Sequence, residues 1–383
     1  MIAVIADDFT GAAEIGGVGL KYGQKVVIGN PEDISEDTDL LIVAANTRSL
    51  NKKEASFEIE TITKKILKKK PEYVFKKQDS VLRGNIVAEI IAQLNVTGKK
   101  RAIMIAGNPP FNRVIQNGIY YINGTPLAET SFVKDPDFPV MSSVVTDIIS
   151  SDKIQVYSQA VDAPMPDTGI IIGDVRDKKE MEQWAEKIDE ASVIAGGAGF
   201  FDVIMSKQFN AVEPDKNNRF VLGDTTLFVF GSKYPKKELI SAGFIPDNSF
   251  KLNMPDEIYE NHNFNRELLV SWAEKISKSL KEEGKAIITV EQDYSREKNL
   301  SERIRKNISE VVKLVTEKVK LTDLILEGGA TTCEVLKAIG ISKLYPNRFI
   351  NSGIIQMKTP EYTGMTITTK PGSYPWPEGN KRV

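Results

Sequence analysis

Ile2-Ala3-Val4-Ile5-Ala6 runs directly into Asp7-Asp8-Phe9-Thr10-Gly11, and a helical pattern follows from Ala12 to Tyr22. A short apolar run, a polar turn and a helix make up the repeating unit of an α/β sheet with covering helices. The same succession recurs along the first half of the chain. Strands are predicted at Ile2–Ala6, Lys25–Ile28, Leu40–Ala44, Tyr73–Lys76, Ala102–Ala106, Gly169–Ile172 and Ser192–Ala195. Their continuous apolar character suits parallel strands buried on both faces. Helices are predicted at 12–22, 53–69, 85–94 and 178–188, and Pro71 supplies a stop after the second. The alternation is interrupted once, where Asn123-Gly124 marks a β-hairpin within Gly118–Leu127, followed by a rigid loop at Asp135-Pro136-Asp137-Phe138-Pro139.

The polar stretch Glu213-Pro214-Asp215-Lys216-Asn217-Asn218 reads as a linker, which sets domains at 1–215 and 220–383. A chain of 383 residues exceeds the usual single core, so two domains are expected. Beyond the linker, strands are predicted at 226–230, 285–290, 323–326, 348–355 and 365–369, with helices at 265–283, 300–318 and 332–338. The fold class is therefore α/β, with two mostly parallel sheets flanked by helices.

Composition removes several kinds of chemistry. A net charge of −2 does not provide the concentrated positive surface that nucleic acid requires. A single cysteine, Cys333, excludes an internal disulfide and a cysteine-rich zinc site, and packing is its expected role. A single histidine, His262, lies in the polar stretch Asn261-His262-Asn263, so acid–base work falls to carboxylates, lysine or tyrosine. No apolar run of about 18 residues exists to span a membrane. The apolar start is too short for a signal peptide, so the cytoplasm is the expected compartment.

In open α/β sheets ligands bind beyond the carboxyl ends of the strands, and the loops there carry the distinctive residues. After the first predicted strand, Thr10 is placed to cap the helix. A cap needs one polar residue, so the pair Asp7 and Asp8 calls for another explanation. Paired carboxylates can accept a hydroxyl proton or hold a divalent cation. After the strand at 73–76 comes Lys77-Gln78-Asp79-Ser80-Val81-Leu82-Arg83-Gly84-Asn85. In it, Arg83 offers a fork for a carboxylate, Lys77 a point charge, and Gly84 a close backbone approach. The loops Asn46-Thr47-Arg48-Ser49 and Asn108-Pro109-Pro110-Phe111-Asn112-Arg113 add two more arginines. Arg48, Arg83 and Arg113 together describe an anion pocket facing the acidic turn.

The second half has a different theme, that of small-residue turns after strands. These are Gly231-Ser232, Gly328-Gly329-Ala330-Thr331-Thr332 and Lys370-Pro371-Gly372-Ser373. Free N–H groups at such a helix start favour phosphate. None of the three matches the G-x-x-x-x-G-K-[ST] phosphate loop. The glycines from Gly11 to Gly19 lack dinucleotide-binding spacing and are read as helix–sheet packing positions.

Ala6-Asp7-Asp8-Phe9-Thr10-Gly11-Ala12 resembles the opening signature A-D-D-L-T-G-A of the four-carbon acid sugar kinases, and the segment ending Asp79-Ser80-Val81-Leu82-Arg83-Gly84-Asn85 resembles that family's K-x-D-S-T-L-R-G-N. The Asn-Thr-Arg loop, the Asp135-Pro136-x-x-Pro139 segment, Gly231-Ser232, Gly328-Gly329 and Lys370-x-Gly372 fall in the family's order. The resemblance implies an N-terminal domain for the sugar acid, a C-terminal domain for ATP, and transfer across an interdomain cleft to the terminal hydroxyl of threonate, erythronate or 3-oxotetronate. The reading of the residues themselves adds that Asp8 or Asp7 would orient and deprotonate that hydroxyl. Asn46, Arg48, Lys77, Asp79, Ser80, Arg83, Gly84, Asn85 and Arg113 would line the substrate site, with Arg83 and Lys77 on the carboxylate. Ser232, Gly328, Gly329, Ala330, Thr331 and Gly372 would contact ATP, with Mg²⁺ bridging its phosphates.

The chain departs from the family pattern at Val81, where threonine is usual, at Lys233-Tyr234-Pro235, at Ala330 and at Tyr374-Pro375-Trp376-Pro377. The expected partner is a small sugar acid, with no nucleic acid and no membrane, and a homodimer is allowed. The alternatives are a non-catalytic sugar-acid sensor on the same fold, or a nicotinamide-dependent oxidoreductase using the first strand–helix turn.

Overall fold

Strand-to-strand register determines where the loops of the first unit meet. The computed structural model describes residues 1–32, 34–35, 37–135, 138–213, 220–231, 251–260, 265–290, 300–351, 353–372 and 376. The chain divides into two compact units, Met1–Glu213 and Pro214–Val383. Of the stretch expected as linker, residues 214–218 lie outside the described residues.

The first unit runs β1 (Ile2–Ala6), α1 (Phe9–Lys21), β2 (Val26–Ile28), β3 (Leu40–Ala44), α2 (Lys52–Leu67), β4 (Val74–Lys77), α3 (Ile86–Thr97) and β5 (Arg101–Ile105). It continues through β6 (Arg113–Gln116), β7 (Ile119–Ile122), β8 (Thr125–Pro126), α4 (Val145–Ile148), β9 (Val156–Gln159), β10 (Gly169–Gly173), α5 (Lys178–Glu186), β11 (Ser192–Gly196) and α6 (Ala198–Gln208). Eight of these strands form one sheet in the order β2-β3-β1-β4-β11-β5-β10-β9, with every pairing parallel. The central strands are buried on both faces, as their unbroken apolar sequences require.

Ala6 pairs with Ala44 of β3 and with Lys77 of β4. Gly196 of β11 pairs with Lys77 and with Ile105 of β5. Five carboxyl ends therefore stand level. The chain places β3 on one side of β1 and then β4 on the other, so the topological switch lies at β1, where open α/β sheets take their ligands.

Local sequence accounts for the helices. Asn51 and Glu54 close a reciprocal capping box on α2, whose buried face carries Ala55, Ile59, Ile62 and Ile66 at helical spacing. In α1 a side chain at Gly19 would come within 2.6 Å of Val26 and 2.7 Å of Leu40. That closeness is the packing reason for glycine there. Helix α6 was not anticipated. Its buried Ala198, Phe200, Phe201, Val203, Ile204 and Met205 leave too little polar contrast for a helical stripe.

The expected hairpin around Asn123-Gly124 is present and belongs to a three-stranded sheet β6-β7-β8. A second turn, Asn117-Gly118, joins β6 to β7. All four turn residues have positive φ, as primed hairpin turns require. Ile115, Tyr120 and Leu127 of this region are fully buried in the core beside β5 and β10.

The second unit contains β12 (Thr226–Phe230), β13 (Lys251–Asn253), α7 (Asp256–Glu260), α8 (Arg266–Glu283), β14 (Lys285–Thr289), α9 (Leu300–Lys318) and β15 (Asp323–Glu327). It ends with α10 (Gly329–Ala338), β16 (Tyr345–Asn351), β17 (Ile354–Lys358) and β18 (Thr366–Lys370). The sheet order is β13-β14-β12-β15-β18-β17-β16, parallel as far as β18 and antiparallel beyond it. The single strand expected at 348–355 is instead a hairpin of β16 and β17 that turns near Gly353, whose φ of +73° breaks the extended run. Among the described residues no helix is long and apolar enough to cross a membrane.

Candidate active site

Asp8, not Thr10, caps α1. Its Oδ1 accepts from Gly11 N–H at 2.8 Å, and its Oδ2 accepts from Thr10 Oγ1 at 2.7 Å. Arg48 Nη1 adds a third donor at 3.0 Å from Oδ2. An ionised carboxylate offers about four acceptor positions, so one is left for a ligand hydroxyl. Burial pushes the Asp8 carboxyl up, but Arg48, Lys77, Thr10 and the Gly11 amide outweigh it and hold it below the usual value. A Cβ at Gly11 would lie 2.8 Å from Asp8 Oδ1 and 3.1 Å from Lys77 Nζ, so the glycine keeps this corner open.

Asp7 differs from its neighbour in both exposure and charge. Its side chain is 2% exposed against 17% for Asp8. Its Oδ2 accepts from Arg48 Nε at 2.9 Å and lies 2.8 Å from Nη2, while its buried Oδ1 has no hydrogen-bond partner among the described residues. Burial lifts the Asp7 carboxyl to about 6 despite the attraction of Arg48, with Asp8 and Glu89 adding to the rise and Lys76 opposing it.

Arg48 is thus the hub of the site. Besides Asp7 and Asp8 it reaches Asp79 Oδ1 at 3.2 Å. A guanidinium bridges the two aspartates, in the position where a divalent cation held by the pair would have to stand. Asp79 also accepts from the N–H groups of Val81 and Arg83, both at 3.1 Å, and from Arg83 Nε at 2.9 Å and Nη2 at 2.8 Å. Burial pushes the Asp79 carboxyl up, but Arg48 and Arg83 overcome this and hold it far below the ordinary range. Arg83 also binds Asp135 Oδ2 at 2.6 Å.

The three arginines do meet around one loop, but Arg48 and Arg83 are neutralised there by Asp7, Asp8, Asp79 and Asp135. Arg113, at the start of β6, donates to the Ser80 hydroxyl, and no carboxylate among the described residues lies within ion-pair distance of it. Tyr120 of β7 donates to the Ser80 carbonyl, which fixes the hairpin onto the loop.

The remaining expected residues shape the loops. Gly84 has φ of +90°, and a Cβ there would meet Arg48 Cγ at 2.9 Å. Asn85 Nδ2 donates to the carbonyls of Thr47 and Leu50, at 3.0 and 2.8 Å, and so ties two loops together. Asn46 bonds the Ala44 carbonyl from a left-handed backbone. Lys77 donates to the Gln78 carbonyl at 2.9 Å and lies 3.7 Å from Glu14. Beneath it, fully buried Lys76 pairs with Glu89 at 2.7 Å. Both side-chain polar atoms of buried Gln78 lack partners among the described residues. Sequence reading missed Glu14, Glu89, Tyr120 and the anchoring role of Asp135. The Asp-Pro pattern at 135 was visible as a rigid loop and as part of the family's order of motifs, but not as an anchor for Arg83.

In the second unit the carboxyl ends of β12, β15 and β18 sit side by side, because these strands are neighbours. Gly328 has φ of +93°, and the start of α10 has no side-chain cap. Its first amides are therefore available to an anion. A Cβ at Gly231 would fall 2.2 Å from Thr331 Oγ1, and Gly372 has open space around it. Gly328, Gly329, Ala330, Thr331 and Gly372 are thus gathered at one edge in a form that fits phosphate. Ser232 and His262 lie outside the described residues. Among the described residues no cluster of three or more His, Cys, Asp or Glu could cage a metal.

Comparison with known proteins gives the family. The model of the sugar-binding N-terminal domain matches residues 2–204, more than half of the chain. The chain belongs to this family, that of the four-carbon acid sugar kinases.

The chain is 33% identical over 158 residues to a D-threonate kinase of Salmonella typhimurium, an alignment covering 40% of this chain and 37% of that protein. It is 31% identical over 156 residues to a D-erythronate kinase of Heliobacterium modesticaldum, covering 39% and 36%. These matches span little more than a third of those relatives. A 3-oxo-tetronate kinase of Actinobacillus succinogenes is 22% identical over 394 residues, covering 94% of each. The fold matches a solved structure from Salmonella typhimurium LT2 that carries a tRNA-synthase label, with a TM-score of 0.78 and 16% identity over 97% of this chain and 96% of that one. It also matches Haemophilus influenzae protein HI1011, with a TM-score of 0.68 and 17% identity over 97% and 96%. At these identities the two structures speak for the fold alone.

Proposed function

We propose that the protein is an ATP-dependent kinase that phosphorylates the terminal hydroxyl of a small, four-carbon sugar acid. The observation that carries this reading is Asp8, a partly exposed carboxylate held by three donors with one acceptor position left over. The kinase names of the relatives support the reaction class.

Asp8 is assigned the acceptor hydroxyl and Asp7 a supporting role, and the difference in exposure supports this assignment. Asp7 is the stronger base, but its carboxylate is enclosed. Phosphoryl transfer through a loose transition state depends on positioning more than on basicity. Asp8 therefore orients the hydroxyl and receives its proton, while Arg48 keeps Asp8, Asp7 and Asp79 in fixed relation.

Arg113 is assigned the substrate carboxylate, assisted by Lys77. Among the described residues its fork carries no carboxylate partner, unlike those of Arg48 and Arg83. Arg83, held by Asp79 and Asp135, sets the shape of the loop. Val81 is fully buried and packs into the core cluster with Leu82, Ile86 and Tyr120, so it anchors the loop from below.

The second unit is assigned the phosphoryl donor, through Gly328, Gly329, Ala330, Thr331, Gly372 and Ser232. MgATP, when bound, supplies the phosphoryl group and neutralises charge on its oxygens. The protein contributes backbone N–H groups and a fixed acceptor.

Phosphorus NMR of the protein incubated with MgATP and D-threonate, D-erythronate or 3-oxotetronate tests the assignment. A new phosphomonoester resonance with at least one acid is expected. Binding of an acid with no phosphomonoester under any condition would make the chain a sugar-acid sensor instead.

A further inference from the structure

Lys370 ends β18 and Glu327 ends β15, side by side in register. Both are buried, and Lys370 Nζ lies 3.2 Å from Glu327 Oε2. The same ammonium donates to the Pro371 carbonyl at 2.9 Å and sits 5.6 Å from the centre of the Trp376 ring. Trp376 Nε1 donates in turn to Glu327 Oε2 at 3.2 Å. The backbone closes the circuit, with Gly328 N–H donating to the Lys370 carbonyl at 2.9 Å. One lysine therefore touches both strand ends from which the turns at Gly328 and Gly372 spring.

Stability gives no sufficient reason for such a pair. Removing two charges from water is costly, and apolar residues of similar volume would hold two strands together at least as well. What an apolar pair cannot do is fix the exit direction of two turns through hydrogen bonds to a carboxylate and a carbonyl. It also cannot keep a positive charge close to Gly372.

We propose that Lys370 and Glu327 are a positioning pair that holds the turns at Gly328 and Gly372 at the spacing required by the phosphates of a nucleotide. This inference rests on the reading of those turns as the MgATP site. Neither residue is assigned contact with the reacting atoms. Their effect passes through the backbone of the turns.

Calorimetric titration of the full chain with MgATP tests the pair, because it separates affinity from the fraction of competent sites. Wild-type protein is expected to bind near one equivalent. Lys370→Met should raise the Kd at least tenfold with the stoichiometry kept near one, and Lys370→Arg should recover much of the loss. Glu327→Gln, which preserves shape, should raise the Kd threefold or more, and it carries the test if Lys370→Met does not fold.

A purely structural pair would lower the stoichiometry and leave the Kd of the remaining sites unchanged, and that result overturns the proposal. In turnover assays the KM for ATP should rise in these variants while the KM for the sugar acid stays put. Equal rises in both would also overturn it. Wild-type protein that takes up no MgATP refutes the nucleotide reading itself. Unchanged variants beside a binding wild type refute only the role of the pair.

Discussion

Replacing Asp7 with asparagine should make the protein more stable at neutral pH, although Asp7 is one of the two acids of the family's opening motif. The carboxyl stands at about 6 in the folded chain against an ordinary 3.8, chiefly because it is buried. A group raised in this way contributes stability that is fully present below the unfolded value, and the contribution is lost as pH rises through the folded value. The rise from 3.8 to about 6 corresponds to about 3 kcal/mol at about 1.36 kcal/mol per pH unit. By pH 7.5 that penalty is fully felt by the wild type, whereas an asparagine side chain has no charge to bury.

Arg48 is not orphaned by the change, because Asp8 at 3.0 Å and Asp79 at 3.2 Å remain. A gain of up to about 3 kcal/mol is thus expected at pH 7.5. For a unit of this size that corresponds to roughly 6–12 °C in Tm. Thermal unfolding followed by circular dichroism from pH 4 to 8 checks this. The advantage of Asp7→Asn should be greatest above pH 7 and should close as pH falls towards 4. A variant less stable than wild type at pH 7.5, or a gap that does not change with pH, would refute the reasoning.

Asp8→Asn should retain the helix cap, since asparagine caps about as well as aspartate, yet lower kcat by roughly 10²–10⁴ if Asp8 handles the hydroxyl. Steady-state kinetics beside a melting curve separates the two effects. Arg113→Ala should raise the KM for the sugar acid roughly 10–100-fold, the range for losing a charge-assisted hydrogen bond, and leave the KM for ATP unchanged. An unaltered sugar-acid KM would move the carboxylate elsewhere. Gly231→Ala brings a Cβ to 2.2 Å from Thr331 Oγ1. It should weaken MgATP binding in a direct titration and spare binding of the sugar acid.

Much of the fold can be read directly from the sequence. Ile2–Ala6, Leu40–Ala44 and Ser192–Ala195 are too uniformly apolar to be anything but doubly covered strands, and Asn123-Gly124 marks its own turn. The clustering of polar residues after strands also singles out the loops that fold together around Arg48. It does not show how those residues share their charges. Arg48 and Arg83 look alike as free cations from the sequence, whereas folding places three acids around one and two around the other. The contact of Arg83 with Asp135, 52 residues away, has no local signature. Asp7 and Asp8 are adjacent in sequence and opposite in environment, because alternation along the strand end turns one inward and leaves the other at the helix cap. The pairing of Lys370 with Glu327 is equally silent in the sequence, since only the register of β15 and β18 makes them partners.

Whether Asp8 presents the acceptor hydroxyl of a four-carbon acid to MgATP is tested most directly by a coupled ADP-release assay over four- and five-carbon aldonates. ADP production by wild-type protein with at least one four-carbon acid, falling by roughly a hundredfold or more in Asp8→Asn, is the predicted result. Equal ADP release by wild type and Asp8→Asn, or none from the wild type with any acid of the panel, would contradict it.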